Sequence, residues 1–253
     1  KGATTVEQQV EHPGDAIRKI LLENRSPKLP GLPTFTGGLV GYFAYDYIKY
    51  AEPTLKLEKG DEDSFQDVDL MLFDKVIAFD NFRQKIILIV NMKTDAPEQE
   101  YYKAQMELDK LVNLIRNGRP APEQPLKLKG DFEPVFSKEA YCEMVEKGKQ
   151  YIRDGDIFQV VLSNQLEAEM EGSLLDAYRV LRTSNPSPYM FYFSSDDIEI
   201  AGASPETLVK LEYGKLFTYP LAGTRPRGAT PEEDERLERE LLADEKERAE
   251  HNM

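Results

Sequence analysis

The chain has 253 residues, 40% of them hydrophobic and 31% charged, and 46 acidic against 32 basic side chains leave a net charge of −14. That length holds one large domain or two small ones. The charge excludes a general nucleic-acid binder, which needs a basic footprint. The single Cys142 excludes an intramolecular disulfide framework and fits a reducing cytoplasm, and neither a membrane span nor a signal peptide is visible.

Residues 1–11 are polar and read as a loop or a strand remnant. Ile17, Ile20 and Leu21 give 15–24 the spacing of a short amphipathic helix, and a proline-rich connector follows at 26–33. The glycine- and aromatic-rich run 36–50 predicts a strand entering a close-packed turn and a short helix. Its three glycines lack the spacing and the Lys-Ser/Thr of a phosphate loop, so close backbone packing is the better account. Two strand-like runs, 69–80 and 83–92, flank Asn81-Phe82 as a hairpin. Apolar residues at helical spacing predict a helix over 96–117. The proline-rich stretch 118–125 then offers a boundary.

In the second half, Ser137 is placed to cap a helix over 138–154 that Gly155 ends, with Cys142 on it as a packing thiol. Residues 157–163 read as a buried strand carrying one polar side chain, Gln159. A short helix at 173–182 leads to a stiff proline turn made of Asn185, Pro186, Ser187, Pro188, Tyr189 and Met190. Residues 191–194 and 199–203 read as paired strands, and Ser204-Pro205-Glu206 as a turn or helix start.

The stretch 216–228, Leu-Phe-Thr-Tyr-Pro-Leu-Ala-Gly-Thr-Arg-Pro-Arg-Gly, begins as a strand that Pro220 ends. Gly223 lets the backbone approach another surface closely. Thr224 and Arg225 add a hydroxyl and a fork of donors, so the turn is a natural cradle for a carboxylate or phosphate. A solvated surface turn would present the same residues. Residues 231–253 read as one charge-rich helix with Glu240, Asp244, Glu247, Glu250 and His251 along one side. Such a helix is ordinarily a solvated face, although two carboxylates one turn apart can reach one Mg²⁺ directly or through water. The chain begins without Met and stops in a helical pattern with no capping signal, and it reads as a fragment.

Five motifs in order resemble the chorismate-utilising enzymes: 155–163, 185–190, 202–206, 220–228 and 244–251, together with the upstream Gly-Leu-Val-Gly-Tyr-Phe-Ala-Tyr-Asp at 38–46. Within that family the chain is most similar to the aminase subunits (component I) of anthranilate synthases. The resemblance implies an α/β (α+β) fold of two packed antiparallel-rich β-sheets flanked by helices, incomplete here. Residues 1–125 would be its N-terminal part and 126–253 the first part of the chorismate-binding catalytic domain. It implies a Mg²⁺-dependent lyase of tryptophan biosynthesis. Ammonia adds at C2 of chorismate, the C4 hydroxyl leaves, and loss of pyruvate gives anthranilate.

Carried over by motif, Gly223 and Thr224 bind the substrate, Glu247 is a direct metal ligand, and Glu250 lies close by through water. The main catalytic residues are expected beyond Met253, so the fragment alone is expected to be inactive. Two positions mark the branch. Sibling enzymes that attack with water carry a lysine base where Gln159 stands, and aminodeoxychorismate synthases carry a lysine nucleophile where Ala222 stands. The turn from Asn185 to Met190 matches the tryptophan feedback site. Partners implied are chorismate, L-tryptophan as inhibitor, and a separate glutamine amidotransferase subunit (component II), because Cys142, His12 and His251 form no nucleophile-like pair. Neither nucleic acid nor membrane is expected.

Overall fold

The computed structural model describes residues 4–55, 65–122 and 124–253. Residues 1–3 of the N-terminal loop and Glu123 of the proline-rich stretch lie outside them. The chain divides into two units, Lys1–Ala121 and Pro122–Met253.

In the first unit, helix α1 (Pro13–Glu23) starts at His12, whose Nδ1 accepts from Gly14 N at 2.9 Å while Pro13 takes the first helical position. Strand β1 (Gly38–Phe43) runs into a 3-10 helix, Tyr45–Tyr50, and pairs antiparallel with β2 (Val68–Phe73). A methyl on Gly41 would strike the Asp69 carbonyl, so close approach of β2 explains that glycine. The run 69–80 is not one strand. It breaks at Asp74, where β3 (Lys75–Asp80) leaves β2 to pair with β4 (Lys85–Val90). The β3–β4 turn spans residues 81–84. Asp80 accepts from Arg83 N at 2.8 Å, and Gln84 takes a left-handed φ of 53°. Helix α2 (Pro97–Asn117) packs on β4, and the Lys75–Glu107 ion pair ties it to β3. Lys110 first, then Lys75, hold the Glu107 carboxyl down at about 2.

In the second unit, β5 (Lys127–Leu128) and β6 (Glu133–Pro134) precede α3 (Lys138–Asp154). They pair with β8 (Met170–Glu171) and β7 (Leu166–Glu167) respectively, short ladders with no apolar alternation to announce them. Ser137 caps α3 by accepting from Ala140 N at 3.2 Å, and Gly155 ends it at φ 82°. Cys142 is exposed rather than packed.

The stretch expected as a buried strand, 157–163, forms no ladder. Phe158 is 87% and Val161 85% exposed. The stretch lies along α3, with Leu162 O accepting from Tyr141 Oη at 3.0 Å and Val160 against Gly148. β-propensity without a neighbouring strand to supply hydrogen bonds leaves such a run irregular. Helix α4 (Leu175–Ser184) then leads to the hairpin β9 (Tyr189–Ser194) and β10 (Glu199–Ser204). A further hairpin, β11 (Thr207–Glu212) with β12 (Lys215–Tyr219), turns at Tyr213-Gly214.

The expected terminal helix is two helices, α5 (Pro231–Ala243) and α6 (Glu245–Asn252), divided at Asp244. Among the described residues the fold is thus helices with strands paired antiparallel in six two-stranded ribbons. Among the described residues only Gly148 is buried, because a ribbon with one helix against it leaves its second face open. No helix of the described residues is long and apolar enough to cross a membrane.

Candidate functional site

The turn that follows β12 is irregular because Pro220 and Pro226 each remove an N–H that a ladder or helix would use. Side chains hold it instead. Leu221 N donates to Glu206 Oε1 at 3.3 Å, Gly228 N to Asp234 Oδ1 at 2.9 Å, and Ala229 N to Glu233 Oε2 at 2.8 Å. Arg227 pairs with Asp234 at 2.8 Å, and Thr230 caps α5 by accepting from Glu233 N. The Gly228 N–H, then Arg227, hold the Asp234 carboxyl below the usual carboxylate range. The middle of the turn faces α6, where Arg225 Nη2 meets Asp244 Oδ2 at 2.8 Å.

Here the structure brings together two motifs far apart in the sequence. The Glu247 carboxylate lies directly against Gly223, so closely that any side chain at 223 would collide with it. Glu247 is 14% exposed in its side chain, and its Oε2 is buried with no hydrogen-bond partner. A buried acceptor without a donor is rare and costly, and an ion or water at that oxygen is the usual resolution. Lys246 Nζ lies 3.3 Å from Glu247 Oε1 and 3.1 Å from Glu250 Oε2, so the two carboxylates one turn apart share one cation. Glu250 first, then Glu247, raise the Lys246 ammonium above its ordinary value.

The orphaned oxygen, the side-chain-free backbone beside it and the neighbouring carboxylate fit a hard divalent cation. Among the described residues, no three His, Cys, Asp or Glu side chains cluster closely enough to complete a metal site. Two carboxylates, water and an anionic substrate are a normal set for Mg²⁺, which seldom binds in an all-protein cage.

The acidic side of the terminal helix is narrower than its spacing predicts. Glu240 stands on α5 and pairs with Arg236, while Asp244 turns back to Arg225 and to the start of α6. Sequence reasoning missed this break, although Asp244-x-x-Glu247 carries the acidic capping pattern that marks a helix start. Ala222 and Gly223 are half-buried, Thr224 and Gln159 are exposed, and Gln159 stands on the irregular stretch beside α3.

In the proline turn, Asn185 ends α4 and Ser187 Oγ donates to Tyr189 O at 3.1 Å. Tyr189 and Met190 open β9 opposite Ser204 and Ala203. Tyr189 Oη lies 2.5 Å from Thr207 Oγ1, and the adjacent Glu206 accepts from Leu221 N, so two hydrogen bonds lead from this turn to the one holding Gly223.

Comparison with known proteins places the chain in a family. The family model for the chorismate binding enzyme matches residues 3–253. The chain is 46% identical over 233 residues to anthranilate synthase component 1 of Acinetobacter calcoaceticus, covering 89% of this chain and 46% of that protein. It is 42% identical over 256 residues to that of Acetivibrio thermocellus, covering 98% and 52%. The crystal structure of anthranilate synthase component I from Streptococcus pneumoniae TIGR4 superposes with a TM-score of 0.76 at 32% identity, over 98% of this chain and 53% of that one. The chain thus spans about half the length of the curated relatives it matches.

Proposed function

Because the chain belongs to the chorismate binding enzyme family, we propose that it supplies the substrate turn and one metal-facing helix of an anthranilate synthase aminase. That activity converts chorismate and ammonia to anthranilate and pyruvate. The observation that carries the reading is the Glu247 carboxylate, with its unpartnered buried oxygen, pressed against Gly223. Glycine at 223 brings main chain close to whatever the carboxylate serves, and Thr224 adds an exposed hydroxyl beside it.

Glu247 and Glu250 would hold Mg²⁺, which when bound neutralises the ring carboxylate and eases departure of the hydroxyl. In a chain of net charge −14, such a cation also answers the problem of admitting an anionic substrate. Ala222 carries no nucleophile and Gln159 no base active near neutral pH, so ammonia itself adds to the ring.

Ammonia then comes from a separate glutamine amidotransferase. Cys142 is exposed on α3, where no histidine stands within a turn of it to act as the base of a nucleophile pair. The reading places the protein in the cytoplasm and makes the turn from Asn185 to Met190 a tryptophan-binding surface. Its support is that Tyr189 exposes its aromatic ring at the start of β9, at the end of the proline turn.

The test is product analysis of the complete gene product with chorismate, ammonium and Mg²⁺. Anthranilate, seen by its fluorescence and by chromatography, is expected. A 4-amino product, a hydroxylated product or no turnover would each overturn the reading.

A further inference from the structure

One side chain touches both the Gly223 turn and the helix that carries Glu247. Asp244 closes α5 and opens α6, and its backbone, at φ −64° and ψ 121°, breaks what would otherwise be a continuous helix. Its Oδ1 accepts from Lys246 N at 3.0 Å and from Glu247 N at 3.2 Å. Its Oδ2 accepts from Arg225 Nη2 at 2.8 Å, while Arg225 Nη1 donates to Thr224 O at 3.1 Å. One carboxylate therefore directs the first turn of α6 and also ties that turn to residues 224 and 225.

We infer that Asp244 and Arg225 are positioning residues, a clamp that holds the Glu247 carboxylate at Gly223. The inference rests on the reading of Glu247 as the carboxylate that serves metal and substrate. A helix cap alone needs only a side-chain oxygen, for which Asn serves as well as Asp. The charge at 244 strengthens the bonds from the Lys246 and Glu247 N–H groups, but only the ion pair with Arg225 needs it. Arg225 and Asp244 are 30% and 33% exposed in their side chains, so solvent screens the pair and its stability contribution is small. What the pair fixes is geometry. Were α5 to run on through 244, Glu247 would follow the axis of α5 instead of turning back to the Gly-Thr-Arg backbone, and its buried oxygen would lose its place.

The clamp is tested in the complete gene product with Asp244→Asn, which keeps the cap and removes the charge facing Arg225, with Arg225→Met, and with Arg225→Lys as the conservative replacement. Mn²⁺ binding in the presence of chorismate, followed by the loss of the free-ion paramagnetic resonance signal, should weaken about tenfold or more in the first two variants. It should weaken no further when they are combined, and it should recover in part with Arg225→Lys. Affinities equal to wild type in Asp244→Asn and Arg225→Met would overturn the inference.

A second measurement is independent of any metal. Gly223→Ala places a methyl on the Glu247 carboxylate, so it should lower the melting midpoint clearly in the wild-type background. It should lower it much less once Asp244→Asn and Arg225→Met let the carboxylate swing away. An unchanged cost of the methyl in the two backgrounds would overturn the clamp. Wild type that binds no Mn²⁺ would overturn the metal reading of Glu247, and the melting comparison would still decide the clamp.

Discussion

Replacing Glu247 with Gln separates the two consequences of a carboxylate whose Oε2 is buried without a partner, because they have opposite signs. Without metal, Glu247 Oε2 is an acceptor out of water with no donor, while Oε1 keeps Lys246, in a side chain only 14% exposed. An unsatisfied buried group costs about 1–3 kcal/mol, more when charged, so the neutral amide of the same shape should recover about 1 kcal/mol. In a chain of this size that raises the melting midpoint by about 2–4 °C. With metal the order reverses. One unit charge facing another at about 4 Å is worth about 4 kcal/mol at an effective dielectric near 20. Even half of that, about 2 kcal/mol, is roughly 30-fold in affinity.

At a Mg²⁺ concentration about 100 times the wild-type dissociation constant, wild type gains about 2.7 kcal/mol and the variant about 0.9 kcal/mol. Wild type should then melt above the variant. The assay is thermal unfolding of both proteins in chelator and across a Mg²⁺ titration. A Glu247→Gln protein that melts at or below wild type in chelator and gains as much from Mg²⁺ would refute the reasoning and return α6 to an ordinary solvated helix.

Glu199 accepts from Tyr192 Oη at 2.7 Å, Leu174 N at 2.6 Å and Ser173 Oγ at 3.0 Å, and the Tyr192 hydroxyl first, then the Leu174 N–H, lower its carboxyl from the ordinary 4.5. A depressed carboxyl stabilises fully above 4.5 and loses that stability as pH falls through its folded-state value. Glu199→Gln should therefore cost about 1–2 kcal/mol near neutral pH and flatten the acid limb of a denaturant-midpoint against pH curve. Parallel limbs would show that these bonds form only at the surface. Ammonium at raised pH should support anthranilate formation by the complete gene product alone, and glutamine only after an amidotransferase is added. Cys142→Ser should alter neither, and glutamine-dependent turnover without a partner, lost in the serine variant, would contradict the exposed, non-catalytic role of that thiol.

Local signals in the sequence were reliable at α3 and β12, where one residue decides the backbone. Ser137 and Gly155 bound α3 because a serine oxygen satisfies an orphan N–H at one end and a glycine takes positive φ at the other. Pro220 ends β12 for the same kind of reason. The misread elements depend on a neighbour. The run 157–163 has strand composition, yet it lies exposed along α3 with no strand to pair with. Residues 69–80 hold two apolar runs, 70–73 and 76–79, on either side of Asp74-Lys75, and composition does not register that β2 and β3 answer to different partners there.

The candidate site divides in the same way. Gly223, Glu247 and Glu250 were legible one by one, as a glycine in a cationic turn and as carboxylates one turn apart on a helix. Their meeting was not, because Glu247 lies 24 positions after Gly223 and a straight helix over 231–253 gives no reason for its end to return to the turn. The return is made by Asp244, whose side chain replaces the intrahelical bonds that α5 gives up and whose second oxygen takes Arg225. A residue that both ends a helix and binds the turn before it converts a linear charge pattern into a folded one. Such a pattern carries the identities of the carboxylates and not their addressee. The addressee emerges only when the capping oxygen and its pairing oxygen are traced to different parts of the chain.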